Sequence, residues 1–146
     1  MRRRGDWAER LNEYLESCRR QPFRWGHLDC VLFVCGAVHA MTGEHPLPQL
    51  CGAYQSKRGA AKTIQKFGRN LEEAIEAECR RCGFTEIAPA LAQRGDIVLL
   101  TGDATVLGPA EYGALGLIGT SGLPVFINTQ GLMEMPLAMA RRAWRI

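Results

Sequence analysis

Residues 23–35, FRWGHLDCVLFVC, join a polar turn to an apolar run that continues without a break to Met41. The turn ends at Asp29-Cys30, and Thr42-Gly43 closes the run. An acidic residue directly before a long apolar segment is typical of a helix N-cap. The pattern therefore predicts a buried helix over about residues 29–41, with Asp29 near its N-cap and Cys30 in its first turn.

The position of Cys30 allows two interpretations. A thiol in the first turn lies in the positive field of the helix N-terminus, which favours the nucleophilic thiolate. Cysteine peptidases use this arrangement. The alternative is that Cys30 is an ordinary buried cysteine at the start of a core helix, and this stretch by itself leaves both open.

Size and composition predict one domain covering residues 1–146. The chain has 146 residues, of which 47% are hydrophobic, enough for a single packed core. No apolar run reaches the length of a membrane span, and the basic start is not followed by the apolar region of a signal peptide. We therefore expect synthesis in a cytoplasm, six reduced cysteines and no membrane insertion. The net charge of +3 is too small to indicate a nucleic-acid partner.

The order of patterns predicts an α+β fold. Helical spacing is found over about residues 6–19, with Asp6 and Glu9 as a capping box. Ser56 is expected to cap a short helix, and Asn70 with Glu73 makes another capping box for a helix that Gly83 ends. Short apolar strands follow from Gly95 to the end of the chain. Helices first and a strand meander second indicate an antiparallel sheet of about five strands, with the Cys30 helix as the most buried helix lying against it.

The basic residues cluster at the two ends of the chain. Residues 1–5 are predicted to form an arm with no core to join, which orders on binding a partner. Arginines at one end are then expected at an interface with an acidic partner. They are Arg2, Arg3, Arg4, Arg19 and Arg20, then Arg141, Arg142 and Arg145.

Several short motifs, taken in order, resemble the NlpC-type branch of the papain-like cysteine peptidases, which cut peptide bonds in bacterial cell walls. The motifs are the Asp-Cys helix start and the segments 95–100, 114–119 and 125–128. Within that fold the chain is most similar to small phage and prophage tail proteins. Those share the motifs found here in 25–30, 42–43, 131–132 and 143–145, so the likeness spans about residues 20–146.

The resemblance implies roles for three positions. Cys30 matches the nucleophile, and Asn128 matches the polar residue that orients the catalytic histidine. The histidine position itself falls on Ala114. A papain-like thiol needs a base within hydrogen-bond reach, and alanine cannot accept a proton. Cys30 and Asn128 are therefore expected to be vestigial.

The three histidines are candidates for a substitute base. His27 precedes Cys30 by three residues and is the first candidate, whereas His39 lies more than two helical turns away. His45 is in the following loop and could fold back. The alternative for all three is a surface or structural histidine.

Cys79 and Cys82 have the spacing of a metal or redox pair. No second close pair completes four ligands, and the motif lies at a predicted helix end. We therefore expect no metal and no cofactor.

Two functions follow as expectations. The first is a structural or interaction component of a bacteriophage tail, in the tail tip or its assembly, that has lost catalysis. It would be made in the bacterial cytoplasm and assembled into the virion tail. Its partners would be other tail proteins, with peptidoglycan as a further candidate. The alternative is an active cysteine peptidase or amidase acting on peptidoglycan peptides.

Overall fold

A computed structural model describes residues 1–100 and 115–146. Within these residues, four α-helices are followed by a sheet of six antiparallel strands in the order β1-β6-β2-β3-β4-β5. The α+β prediction is confirmed. The helices are α1 Trp7–Cys18, α2 Cys30–Thr42, α3 Lys57–Ile64 and α4 Leu71–Arg81; the strands are β1 Thr85–Ile87, β2 Ile97–Leu100, β3 Leu115–Ile118, β4 Pro124–Asn128, β5 Gly131–Glu134 and β6 Ala140–Arg145.

Helix α2 is the centre of the fold, as its sequence predicts. Ten of its 13 residues are buried, against three of 12 in α1. The Asp29 carboxylate accepts a hydrogen bond from Leu32 N at 3.0 Å, so it is the N-cap. Gly43 ends the helix in the left-handed conformation, with φ of 84°. One face of α2 contacts α1, and another contacts β3 and β4.

The sheet is covered on both faces. Alternation along β2 directs Ile97 and Leu99 into the large core that the helices share, and Val98 and Leu100 into a second, smaller cluster. Side chains near the short 3-10 turns Pro89–Leu91 and Leu137–Met139 pack against that second cluster. All four residues of β2 are consequently buried, which explains its continuous apolar sequence.

Residues 84–87, where the sequence leaves a short strand and a connector open, contain the strand β1. β1 pairs antiparallel with β6, Thr85 opposite Arg145 and Ile87 opposite Ala143. Three residues are too few to show the alternating pattern of a strand. The strand forms because β6, almost 60 residues later in the chain, pairs with it.

Two helix starts differ from the predicted capping boxes. Among the described residues, the Asp6 carboxylate bonds to Arg10 Nε at 2.7 Å instead of to a backbone N–H of α1. At α4, Asn70 Oδ1 accepts from Glu73 N at 2.9 Å as predicted. The Glu73 carboxylate, however, accepts from Arg69 N, one residue earlier than the predicted partner. The nearby arginines compete successfully for both carboxylates.

The N-terminal residues are not the detached arm that the sequence indicates. Arg3 Nη2 donates to Asp96 Oδ1 at 2.8 Å, and its guanidinium lies over the Trp7 ring at 4.3 Å. The backbone N of Arg4 donates to Met41 O at 2.8 Å. The prediction failed because Asp96, fully buried at the start of β2, supplies a charge partner 93 residues away.

The C-terminal arginines are likewise paired within the chain. Arg145 Nη2 donates to Asp96 Oδ2 at 2.9 Å, so Asp96 joins both ends of the chain. Arg142 bonds to Glu86 on β1 and to Glu72 and Glu76 on α4. The hydrogen bonds that Arg142 donates to Glu86 and to the other two carboxylates raise the pKa of Arg142. Arg142 and Arg145 therefore have an internal role, while the expected interface with a partner stays a prediction.

Candidate functional site

The candidate site is the junction between the turn at residues 24–28 and the first turn of α2. Arg24 and Leu28 form an isolated antiparallel bridge, in which Leu28 N donates to Arg24 O at 2.8 Å. Gly26 within it has φ of +75°. A Cβ at that position would lie 1.9 Å from the Tyr54 carbonyl oxygen, so both the conformation and the space require glycine.

Asp29 is a buried carboxylate with three hydrogen-bond donors. Its Oδ1 accepts from Leu32 N, and its Oδ2 accepts from Gly26 N at 3.0 Å and from the Tyr54 hydroxyl at 2.5 Å. The side chain is only 2% exposed. A buried carboxylate needs such donors to compensate for its lost hydration. Asp29 thereby holds together the turn, the helix start and the loop that carries Tyr54.

Tyr54 is the residue of this junction that the sequence does not reveal. Burial, followed by the negative charge of Asp29, raises the pKa of Tyr54 above its ordinary value. The phenol therefore remains protonated and acts as a donor to the carboxylate. No short motif links Tyr54 to Asp29, which lies 25 residues earlier, so only the folded chain brings them together.

Cys30 is the first residue of α2, as predicted, and is 1% exposed. It follows Asp29 directly and so adjoins the hydrogen bonds that this carboxylate accepts. The position at the helix N-terminus is the one that favours a thiolate. A substrate does not reach the Cys30 thiol in this structure, because the thiol lies within the core cluster that also contains Leu115 and Ile127.

Asn128 lies at the end of β4 and takes part in the turn that follows. Its Oδ1 accepts from Gln130 N at 2.8 Å, and its carbonyl accepts from Phe23 N at 2.8 Å. Ile127 packs with the helices and Phe126 with the cluster on the other face of the sheet. Because successive side chains of a strand point to opposite faces, the Asn128 side chain is expected on the same face as Phe126, away from the face that α2 covers. Ala114, the predicted histidine position, lies outside the described residues.

The three histidines have contacts or exposure of their own. His27 is exposed, at the rim of two surface grooves whose described linings do not include Cys30. His45 Nδ1 accepts from Leu47 N at 3.2 Å, and its Nε2 is 3.9 Å from Cys51 Sγ. His39 is exposed, with its ring 6.0 Å from the ring of His45. The loop after α2 thus folds His45 toward Cys51, a contact that the sequence did not predict.

The Cys79 and Cys82 thiols belong to the apolar core. Both line a small apolar cavity of about 50 Å³ between α2 and α4. Burial raises the pKa of Cys79 to about 12 and raises that of Cys82 as well, so both thiols are protonated at neutral pH. Within residues 1–100 and 115–146, no three His, Cys, Asp or Glu side chains are grouped so as to hold a metal ion.

The fold and this junction define an α+β protein with a buried Asp-Cys pair at the start of its central helix. The chain belongs to the family described as a domain of unknown function, DUF6950, whose model matches residues 2–146. No curated protein and no solved structure matches the chain. In the described part of the chain, the helices are too short or too polar for any of them to cross a membrane.

Proposed function

We propose that the chain is a structural or interaction component of a bacteriophage tail, in the tail tip or its assembly, built on a papain-like fold of the NlpC type that has lost catalysis. The motif order from Trp25 to Arg145 supports the phage and papain-like parts of this proposal. A helix that begins with Asp-Cys and packs on an antiparallel sheet agrees with the same assignment.

The observation that carries the loss of catalysis is the burial of the Asp29-Cys30 junction. Cys30 is 1% exposed and Asp29 is 2% exposed, with the carboxylate occupied by three donors. A peptidase nucleophile must reach the carbonyl carbon of its substrate, which a thiol inside the core does not. The junction instead has the properties of a helix start fixed for stability.

The partners in this proposal are other tail proteins, with peptidoglycan as a further candidate. Virion association is the property that separates this proposal from a cytoplasmic enzyme. Particles purified from the encoding phage or prophage should contain the chain, detected by mass spectrometry.

Replacing Cys30 by alanine should leave particle assembly and infectivity nearly unchanged, with a stability cost of about 1 kcal/mol. The control is Phe33→Ala on the same helix, which removes a fully buried ring and should cost about 4 kcal/mol and abolish incorporation. Cys30→Ala particles that assemble normally but fail to infect would contradict a purely structural role.

The second candidate is an active cysteine peptidase or amidase acting on peptidoglycan peptides. The observation that favours it is the position of Cys30 at the N-terminus of α2, where the helix dipole stabilises a thiolate. It requires a base other than the alanine at position 114. Assays of wall-peptide release distinguish the two candidates.

A further inference from the structure

A second thiol, Cys51, lies outside the Asp29-Cys30 junction. Of the six cysteines it is the exposed one, since the other five are buried. It follows directly after the short 3-10 turn Pro48–Leu50, and its Sγ is 3.9 Å from His45 Nε2. An accessible thiol beside an imidazole is the arrangement in which cysteine chemistry is expected.

The hydrogen bonds of His45 determine what the imidazole offers to the sulfur. Leu47 N donates to Nδ1, so Nδ1 carries the lone pair and the proton of the neutral ring is on Nε2. Burial, and then the charge of His39, lower the pKa of His45, so the ring is neutral at pH 7. His45 therefore faces the sulfur as an N–H donor and not as a base, which places the positive end of the N–H dipole beside Sγ.

Cys51 and His45 line a groove of about 470 Å³, a volume within the usual range of small-molecule sites. Arg24 and His27 contribute positive or titratable groups, and Leu28 and Leu32 contribute apolar surface. Among the described residues that line the groove, none is acidic. This combination suits a small ligand that carries a negative charge.

We propose that Cys51 is a nucleophilic thiol site and that its groove takes a low-molecular-weight disulfide bearing a carboxylate. The Cys51 thiol loses its proton to solvent, and the thiolate attacks one sulfur of the ligand. A new S–S bond forms to Sγ while the ligand's own S–S bond breaks, and the leaving thiolate takes up a proton from solvent. The product is a mixed disulfide on Cys51, and this inference is independent of the proposed tail function.

The first experiment identifies the reacting thiol. Native protein is treated with substoichiometric 5,5′-dithiobis(2-nitrobenzoate), a dianionic disulfide, and the modified peptide is mapped by mass spectrometry. Cys51 is expected to carry the label first, and Cys51→Ser should remove the fast phase. Labelling of Cys30 or another buried cysteine first, or no fast phase in the wild-type chain, would overturn the proposal.

The second experiment tests the charge of the groove. Rates with the dianionic disulfide are compared with rates for cystamine, a cationic disulfide, at low ionic strength. Arg24→Gln should slow the anionic reagent about three- to tenfold and leave cystamine unchanged or faster. Arg58→Gln, an exposed arginine outside the described groove lining, is the matched control and should change neither rate. Equal effects of Arg24→Gln on both reagents would overturn the carboxylate preference.

The third experiment tests the imidazole. His45→Phe keeps a ring of similar size but removes the N–H donor, and should slow both reagents about three- to tenfold. An unchanged rate in a folded His45→Phe protein would overturn the role of His45. Cys30→Ala should retain the full Cys51 reaction, so the outcome does not depend on whether the tail proposal holds.

Discussion

Replacement of Asp29 by alanine should lower the free energy of unfolding by about 4 kcal/mol, measured by urea denaturation. The substitution removes the N-cap of α2 and leaves two further buried donors, Gly26 N and the Tyr54 hydroxyl, without their acceptor. Loss of a cap costs about 1 kcal/mol, and each unsatisfied buried donor costs about 1–3 kcal/mol. The large effect follows from one carboxylate serving three segments.

Two matched variants separate the contributions to this effect. Asp29→Asn keeps an acceptor oxygen and should cost roughly half as much as the alanine variant. Tyr54→Phe removes only the hydroxyl and should cost about 1–2 kcal/mol, with a smaller added effect in the Asp29→Ala background. A loss below about 1 kcal/mol for Asp29→Ala would show that the carboxylate does not organise the junction.

Replacement of Asp96 by alanine should lower the free energy of unfolding by about 3 kcal/mol. Asp96 is fully buried and accepts from Arg3, Arg145 and the backbone N of Gln93. Its removal leaves two arginines without a counter-charge and detaches both chain ends from the start of β2. The measurement is chemical denaturation of the wild type and the variant at low and high salt.

The control for Asp96 is Glu16, which pairs with Arg19 on the exposed surface of the chain. Glu16→Gln should leave the free energy of unfolding nearly unchanged, and about 1 M salt should remove any remaining difference. The Asp96→Ala effect should persist at the same salt concentration because the carboxylate is buried. If the two variants behaved alike, the internal role of Arg3 and Arg145 would be wrong.

Local signals in the sequence predict several helix starts and ends well. The cap at Asp29, the stop at Gly43, the cap at Ser56 and the left-handed Gly83 all occur where their residue types indicate. Each of these features depends on residues within a few positions of one another. Short-range signals of this kind can be read from the residue types alone.

Long-range partners account for what the sequence did not predict. Asp96 meets Arg3 across 93 residues, and Tyr54 meets Asp29 across 25, so neither pair forms a motif.

At α1, Asp6 satisfies every rule for a cap and yet pairs with Arg10, because a nearby charge outcompetes a backbone N–H. Side-chain competition of this kind is decided only in the folded chain.

At the candidate site, too, the sequence predicts the local features and leaves those that depend on the folded chain undecided. Sequence places Cys30 at the helix start, where the structure has it, but gives no measure of its burial. The role predicted for Asn128 depends on the direction of its side chain, and the Asx turn with Gln130 uses that side chain instead. The approach of His45 to Cys51 depends on the path of the loop after α2, which no residue pattern specifies.

The measurement that tests the central claim most directly is release of peptides from purified peptidoglycan. Wild-type protein, Cys30→Ala and a known wall hydrolase as positive control are incubated with the same substrate, and soluble fragments are quantified by mass spectrometry. A buried, non-catalytic Cys30 predicts that wild type and Cys30→Ala both give the background level of the buffer. Fragment release by the wild type that disappears in a folded Cys30→Ala protein would contradict it.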